Sequence, residues 1–175
     1  INALLKIIEE PNDNIFFILI HNCYKKILPT LKSRCLYFKV HLTFNETINI
    51  TNLIIKNDLF KLINIELINY YNTPGDFIEL IDFAKEKNIN LNEYNLINFL
   101  YLLIDNGYYQ KNKYVKRLMI NLIELYFLKS YRFTKNKKSI LNFYHNFINK
   151  IYNTEIFNLD EESLFLEFKT KIHNG

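Results

Sequence analysis

The sequence predicts a mainly α-helical protein that begins with the end of an α/β unit. Glycine and proline are scarce, at three each in 175 residues, which argues against barrels and sandwiches with many tight turns. The run 15–20, Ile-Phe-Phe-Ile-Leu-Ile, is uniformly apolar, as is typical of a strand covered on both faces in a parallel sheet. From residue 43 onward, apolar residues recur at helical spacing almost without interruption.

The α/β segment is predicted to cover residues 1–42. Apolar residues at 4–8 indicate a helix that ends before Pro11, because a proline disfavours helix in the residue before it. The apolar run follows, then a short helix with Pro29 early in it, and then a second strand over 35–40. We expect the two strands to be parallel and to belong to a larger α/β domain.

A small three-helix module is predicted over 43–90. Thr43-Phe-Asn-Glu46 matches a capping box, in which the threonine hydroxyl and the glutamate carboxylate satisfy free amides of the first turn. The spacing predicts helices over 45–56, 59–71 and 76–87. The polar stretch 88–92 is the predicted boundary with the next domain.

The remaining residues, 91–175, are predicted to form a separate helical domain. Asp160 is expected to cap its last helix, with acidic residues next to it in the positive first turn. Four stretches have amphipathic helical spacing: Leu96, Phe99, Leu100, Leu103 and Ile104; Val115, Leu118, Met119, Leu122, Ile123 and Tyr126; Ile140, Phe143, Tyr144, Phe147, Ile148 and Ile151; Leu164, Phe165, Phe168 and Ile172.

Bulk properties exclude few functions. A net charge of +4 and a pI near 8.9 permit contact with nucleic acid without requiring it. Cys23 and Cys35 form no CxxC pair, and the scattered histidines do not complete a metal-ligand set, so we expect reduced, incidental thiols in a cytoplasmic protein. No apolar run approaches the roughly 20 residues of a membrane-spanning helix.

A cationic zone with interleaved tyrosines lies in the last domain. Phosphate binding is one interpretation of it, and a solvated face or a subunit contact is the favoured one. We expect Tyr108, Tyr109 and Tyr114 to be exposed and to belong to such a contact. The cations are Lys111, Lys113, Lys116, Arg117, Lys129, Arg132, Lys135, Lys137 and Lys138.

Arg34 is the candidate functional residue. Arginine stays protonated and presents a planar fork of donors that suits phosphate oxygens. An arginine offered by one subunit to a nucleotide on another contributes about 10³–10⁵ to the hydrolysis rate. Taken alone, Arg34 is better explained as a surface arginine at a strand entrance, in a local ion pair.

The segments around Arg34 resemble the clamp-loader branch of the AAA+ ATPases. Looser matches are Tyr71-Asn-Thr-Pro-Gly75, which is similar to a segment of the family's lid module, and Asn158-Leu159-Asp160 before the last helix. The resemblance is motif-grade over about the first forty residues, where its blocks follow in order and spacing: Asn2-Ala-Leu-Leu-Lys6, Glu9-Glu-Pro11, Phe17-Ile-Leu19 and Leu28-Pro-Thr-x-x-Ser-Arg-Cys35.

The resemblance implies a role for each part of the chain. Ser33-Arg34-Cys35 would be the arginine-finger motif, supported by Pro29 and Thr30, with Arg34 directed in trans at ATP on a neighbouring subunit. Residues 1–42 would be the C-terminal remnant of the AAA+ domain, 43–90 the lid and 91–175 the collar through which subunits oligomerise. This segment itself would bind no cofactor.

Two departures from the family pattern bear on activity. His21 stands where nucleotide-hydrolysing relatives commonly carry a polar sensor residue, and Gly75 where ATP-binding relatives carry a lid arginine. Both favour a non-catalytic subunit of the bacterial DNA polymerase III clamp loader. Its partners would be the tau/gamma-type motor ATPase and the delta subunit, with the sliding clamp and primed DNA contacted through the assembled complex, and no membrane.

Two other functions remain open from the sequence. One is an ATP-hydrolysing motor subunit of the same assembly, which would require a phosphate-binding loop, G-x-x-x-x-G-K-[ST], upstream of residue 1. The other is a free-standing helical nucleic-acid binder.

Overall fold

The computed structural model describes residues 8, 14–21, 27–157 and 159–173. The chain divides into two compact units, 1–41 and 42–175. In chain order, the helices of the described residues are α1 (Pro29–Lys32), α2 (Phe44–Ile55), α3 (Leu59–Leu62), a 3-10 helix (Ile65–Leu67), α4 (Pro74–Glu86), α5 (Leu96–Asp105), α6 (Tyr108–Lys111), α7 (Lys113–Phe133), α8 (Lys137–Phe157) and α9 (Glu161–His173).

The two predicted strands are not formed by the described residues of the first unit. Along 15–20, Phe16, Ile18 and Ile20 are 87–96% exposed, whereas the odd-numbered residues are 45–50% exposed. This alternation is typical of an extended chain with two different faces. A strand also requires a hydrogen-bonded neighbour, and no ladder joins 15–21 or 36–43 to one within the described residues. The prediction of two parallel strands is therefore not confirmed.

The predicted helix over 4–8 falls almost entirely outside the described residues. Ile8 is described and is helical. Between the two predicted strands, the short helix with an early proline is confirmed as α1, which has Pro29 at its first position.

The predicted capping box at the start of α2 is confirmed. The Thr43 hydroxyl accepts a hydrogen bond from the Glu46 amide at 3.3 Å, and the Thr43 amide donates to a Glu46 carboxylate oxygen at 2.7 Å. The backbone hydrogen bond from Thr43, followed by the one from its hydroxyl, lowers the pKa of Glu46. The amides of Thr43 and Glu46 thus find their hydrogen-bond partners within the four residues of the predicted capping box.

The prediction of one continuous helix over 59–71 is wrong. Helix α3 ends at Leu62, Ile63 is extended with φ −129° and ψ 131°, and a 3-10 helix follows. The Asn64 side chain accepts a hydrogen bond from the Glu66 amide at 2.9 Å, a local bond that competes with helix continuation. The apolar spacing of this segment therefore comes from two short turns that bury Leu59 and Leu67.

The polar stretch 88–92 is hydrogen-bonded onto the preceding module. The Asn64 amide donates to the Leu91 carbonyl at 3.3 Å, and the Leu96 amide donates to a Glu66 carboxylate oxygen at 3.2 Å. Leu91 itself is buried. The helices of the predicted lid and collar consequently lie in one compact unit, 42–175.

The four amphipathic stretches of the last domain form α5, α7, α8 and α9, as predicted. Asp160 caps α9 by accepting hydrogen bonds from the amides of Glu162 at 3.0 Å and Ser163 at 3.1 Å. Helix α6 was not predicted. It follows Gly107, whose φ of 60° is a left-handed conformation that glycine adopts without steric cost.

The tyrosines of this region line the interior, so the expectation that they are exposed is wrong. Tyr109 is buried, with its ring centroid 4.7 Å from that of Phe165. The half-buried Tyr108 ring lies edge-on to Phe83 at 5.5 Å. The unpredicted helix α6 turns these rings toward the core.

An aromatic cluster centred on Phe168 joins the last three helices. Its ring centroid lies 5.2 Å from Phe147, 5.7 Å from Tyr126, 5.9 Å from Phe127 and 6.0 Å from Phe143. These rings come from α7 and α8, and Phe168 comes from α9. Offset and edge-on aromatic pairs add to the free energy of burying their surfaces, so this cluster is the main contact among the three helices.

The cluster predicts the effect of Phe168→Ala. Phe168 is 1% exposed, and truncation of a buried phenylalanine costs about 3–5 kcal/mol of unfolding free energy through lost burial and the cavity left behind. Leu166→Ala, on the same helix but 45% exposed, is the matched control and should change stability little. Urea denaturation followed by circular dichroism measures both. Similar losses for the two variants would contradict this assignment of the core.

Candidate functional site

The segment around Arg34 is built on the single turn of α1. Leu28 has φ −57° and ψ 132°, the extended conformation favoured before a proline, and Pro29 then starts the helix. The amide of Ser33 donates to the Pro29 carbonyl at 3.0 Å, and the amide of Arg34 donates to the Leu31 carbonyl at 3.1 Å. The turn therefore fixes the backbone position of Arg34.

The Arg34 side chain is directed by two residues of the same turn. Its Nη1 donates to the Thr30 carbonyl oxygen at 2.9 Å and to the Ser33 hydroxyl at 3.3 Å. The Ser33 hydroxyl donates to the same Thr30 carbonyl at 3.1 Å. The residue is exposed, so its guanidinium is held by local bonds at the surface of its own unit.

The other predicted site residues of the first unit are placed as follows. Pro29 sets the start of α1, and Cys35 is half-buried with a free thiol. His21 follows the apolar run and is exposed. Cys23 lies outside the described residues.

Gly75 lies in the second unit, within the first turn of α4. A Cβ built at Gly75 would meet the Thr73 hydroxyl oxygen at 3.6 Å, an ordinary contact, and its φ is not in the left-handed region. Local packing thus does not require glycine at this position. The turn is closed by Thr73 and Asp76, which form a second capping box that was not predicted. The signal for it was present as Thr-Pro-x-Asp.

Asp76 is also the point at which α7 contacts α4. Arg117 Nη2 donates to Asp76 at 3.2 Å and to Glu79 at 2.9 Å. The Tyr114 hydroxyl donates to the Asp76 backbone carbonyl at 3.2 Å. Burial, reinforced by the negative charges of Glu79 and Asp76, raises the pKa of Tyr114 strongly, so its hydroxyl stays protonated and donating.

The cationic zone of the sequence is divided by the structure. Lys116 forms an ion pair with Glu161, Arg117 is paired as described, and Lys129 donates to the Glu66 backbone carbonyl at 2.8 Å. The side chains of Arg132, Lys135 and Lys138 are exposed around the connection between α7 and α8. The zone therefore contains cations bonded within the fold, Lys116, Arg117 and Lys129, and a separate exposed group at the connection between α7 and α8.

The described residues contain no group of histidine, cysteine, aspartate and glutamate side chains arranged to hold a metal ion. Among the described helices, none combines the length and apolar character needed to cross a membrane.

Comparison with known proteins places the chain near the clamp-loader subunits of bacterial DNA polymerase III. A family model described as "DNA polymerase III, delta subunit" matches residues 1–43. The gamma subunit of DNA polymerase III from Buchnera aphidicola subsp. Schizaphis graminum (strain Sg) is 49% identical over 47 residues, 27% of this chain and 13% of that protein.

The similarity to delta-prime subunits extends further. The subunit delta' of Buchnera aphidicola subsp. Baizongia pistaciae (strain Bp) is 51% identical over 41 residues, 23% of this chain and 12% of the relative. The delta' subunit of the Schizaphis graminum strain is 28% identical over 172 residues, which cover 90% of this chain and 50% of that protein. The resemblance inferred from the sequence is confirmed, and the chain is delta-prime-like.

The chain spans about half the length of the delta' relative that it matches along most of its own length. No solved structure matches it.

The contact between α4 and α7 predicts the effect of Tyr114→Phe. This change removes the hydrogen bond to the Asp76 carbonyl and keeps the ring, so the free energy of unfolding should fall by about 0.5–1.5 kcal/mol. Tyr152→Phe, at an exposed position on α8, is the control and should have no effect. Urea denaturation measures both variants. Equal stability of Tyr114→Phe and the unchanged chain would argue against this contact.

Proposed function

We propose that this chain is part of a non-catalytic, delta-prime-type subunit of the bacterial DNA polymerase III clamp loader, in the cytoplasm. In this role Arg34 is offered in trans to ATP bound by a neighbouring gamma/tau-type subunit, and the segment binds no nucleotide of its own. The subunit assists the ATP-dependent loading of the sliding clamp on primed DNA without an activity of its own.

The exposure and support of Arg34 are the main observations in favour of this role. A guanidinium that stabilises a transferring phosphoryl group must already be directed when the partner's nucleotide arrives, because ordering a long side chain costs free energy. The Thr30 carbonyl and the Ser33 hydroxyl engage one nitrogen, Nη1.

The start of α4 supports a subunit that does not bind ATP. Gly75 stands where the resemblance implies a lid arginine, and the next residue, Asp76, is a carboxylate bonded to Thr73 and Arg117. A fixed negative charge at this helix start repels a triphosphate. Arg117, the cation next to this turn, is already shared between Asp76 and Glu79.

The extent of similarity also favours the delta-prime type. The gamma relative matches 27% of this chain, whereas one delta' relative matches 90% of it. An ATP-hydrolysing motor subunit is the second candidate, because the gamma match is 49% identical where it applies. A phosphate-binding loop in the sequence preceding residue 1 would favour that candidate.

Helix α8 offers a surface for assembly with the collar helices of another subunit. Its core side carries Phe143 and Phe147, whereas Leu141, Tyr152 and Ile156 are exposed on another side of the same helix. The exposed polar residues on that side, His145 and Asn149, include no lysine, arginine or carboxylate. An apolar face with few charges is typical of the core of protein interfaces.

The Arg34 proposal predicts the result of Arg34→Ala in the full subunit. The clamp loader should assemble normally. The ATP site that Arg34 contacts should hydrolyse ATP far more slowly, because an arginine finger contributes a factor of about 10³–10⁵ to the hydrolysis rate. The DNA-stimulated ATPase of the reconstituted complex, with single-turnover amplitudes, measures this loss. Arg34→Lys should not restore it, since lysine lacks the planar fork.

Lys32→Ala is the matched control for that experiment. Lys32 is an exposed cation two residues earlier in the same turn, and its removal should leave hydrolysis unchanged. Full DNA-stimulated hydrolysis by a complex containing Arg34→Ala would reject the proposed role.

The assembly surface predicts the behaviour of Leu141→Lys combined with Tyr152→Lys. Both side chains are exposed, so helix content and melting temperature should be retained, while incorporation into the complex falls because two charges would be desolvated at the interface. Asn142→Lys with Asn153→Lys adds the same charge to another side of α8 and serves as control. Size-exclusion chromatography of the reconstituted mixture measures incorporation. Equal incorporation of both double variants would count against this surface.

A further inference from the structure

We propose that the connection between α7 and α8 binds single-stranded nucleic acid through its phosphates and one exposed aromatic ring. The basic tip is defined as residues 131–138, Tyr-Arg-Phe-Thr-Lys-Asn-Lys-Lys. This proposal does not depend on the clamp-loader assignment, because it concerns a different surface from Arg34 and from the exposed side of α8.

The first observation is the distribution of charge. The basic tip carries four cations, Arg132, Lys135, Lys137 and Lys138, and no carboxylate. Lysine is common throughout this chain, so its presence alone has little meaning. However, six other lysines of the same unit are paired with carboxylates: Lys85, Lys87, Lys116, Lys150, Lys169 and Lys171. The exposed Lys56 and Lys61 have no ion pair among the described residues either, but Asp58 lies between them in the chain. None of the ion pairs among the described residues includes a cation of the basic tip.

Fold stability does not account for these cations. Lys137 and Lys138 occupy the first turn of α8, which contains no acidic residue. A helix start carries partial positive charge, so cations are unfavourable there and raise the local positive potential further. A bound polyanion would relieve this repulsion.

The second observation is an exposed aromatic ring among the cations. Phe133 is the last residue of α7 and is 87% exposed, whereas Phe127, an aromatic residue earlier on the same helix, is buried. The adjacent Tyr131 ring already has the Lys137 ammonium 5.2 Å from its centroid. A flat ring next to an arginine suits an unpaired base, which can stack on either group, and duplex bases are not available for such stacking.

The third observation is that the backbone of the basic tip is fixed. The Thr134 amide donates to the Ser130 carbonyl at 2.9 Å, the Asn136 amide donates to the Thr134 hydroxyl at 3.2 Å, and the Ser139 amide donates to the Asn136 side chain at 3.2 Å. Lys129 lies just before the basic tip and donates a hydrogen bond to the Glu66 carbonyl oxygen, so we do not count it among the binding cations. A connection ordered in advance loses less entropy when it binds a ligand.

The test measures binding of the whole chain to fluorescein-labelled oligothymidine of about 20 nucleotides, longer than the usual site of one domain. Fluorescence anisotropy is recorded between about 50 and 200 mM salt, where counterion release makes phosphate contacts visible. We expect affinity to fall linearly in the logarithm of salt concentration, and an unlabelled single strand to compete better than a duplex.

Two variants of the basic tip test the contributions of its charges and of its exposed ring separately. Lys135→Gln with Lys138→Gln should lower the magnitude of the salt slope by about 1.4, since each phosphate contact on a single strand contributes about 0.7. Phe133→Ala should weaken binding about 5- to 150-fold without changing the slope, as expected for the loss of one stacked base.

Matched controls lie elsewhere in the same unit. Lys56→Gln with Lys61→Gln removes the same charge from exposed lysines around α2 and α3, and Phe157→Ala removes an exposed ring at the other end of α8. Neither should alter the affinity or the slope. Absence of binding at low salt, equal weakening by the two lysine pairs, or equal affinity for duplex and single strand would each overturn the proposal. Circular dichroism checks that every variant is folded.

Discussion

Burial of the aromatic rings around Phe168 is the interaction on which the second unit depends. Rings from three helices meet there, and no one of these helices can cover its apolar face alone. Because α7 is held in this cluster and also contacts α4 through Tyr114 and Arg117, the same helix links the predicted collar to the predicted lid. The aromatic core therefore sets the position of every surface discussed for residues 42–175.

The candidate site at Arg34 has a different physical basis. Its geometry is local: one turn of helix, one carbonyl of Thr30 and one hydroxyl of Ser33 direct the guanidinium. The proposed role needs no deep pocket, because an arginine finger supplies a charge to a nucleotide held by another molecule. The proposed contribution agrees with similarity to a delta-prime subunit over 90% of the chain, and with the start of the predicted lid, where Gly75 and Asp76 stand in place of an arginine.

The predictions that the structure does not confirm or contradicts have identifiable causes. The runs at 15–20 and 35–40 have strand composition, but a strand forms only when a neighbour accepts its hydrogen bonds, and the described residues contain none. The apolar spacing over 59–71 is compatible with one helix, but Asn64 forms a local bond to the Glu66 amide and its own amide bonds the Leu91 carbonyl. Amphipathic tyrosines were expected at the surface, and the unpredicted α6 directs Tyr109 inward.

The sequence by itself determined what depends on neighbouring residues along the chain: the capping box at Thr43, the cap at Asp160, the four long amphipathic helices and the proline-started turn before Arg34. These features close their own hydrogen bonds within a few residues, so composition and spacing suffice to predict them. Tertiary structure decided which cations are neutralised and which are not. Arg117 and Lys116 meet carboxylates from distant segments, whereas Lys135 and Lys138 form no ion pair with the part of the chain that the structure describes, because ion pairing depends on distances that only helix packing sets.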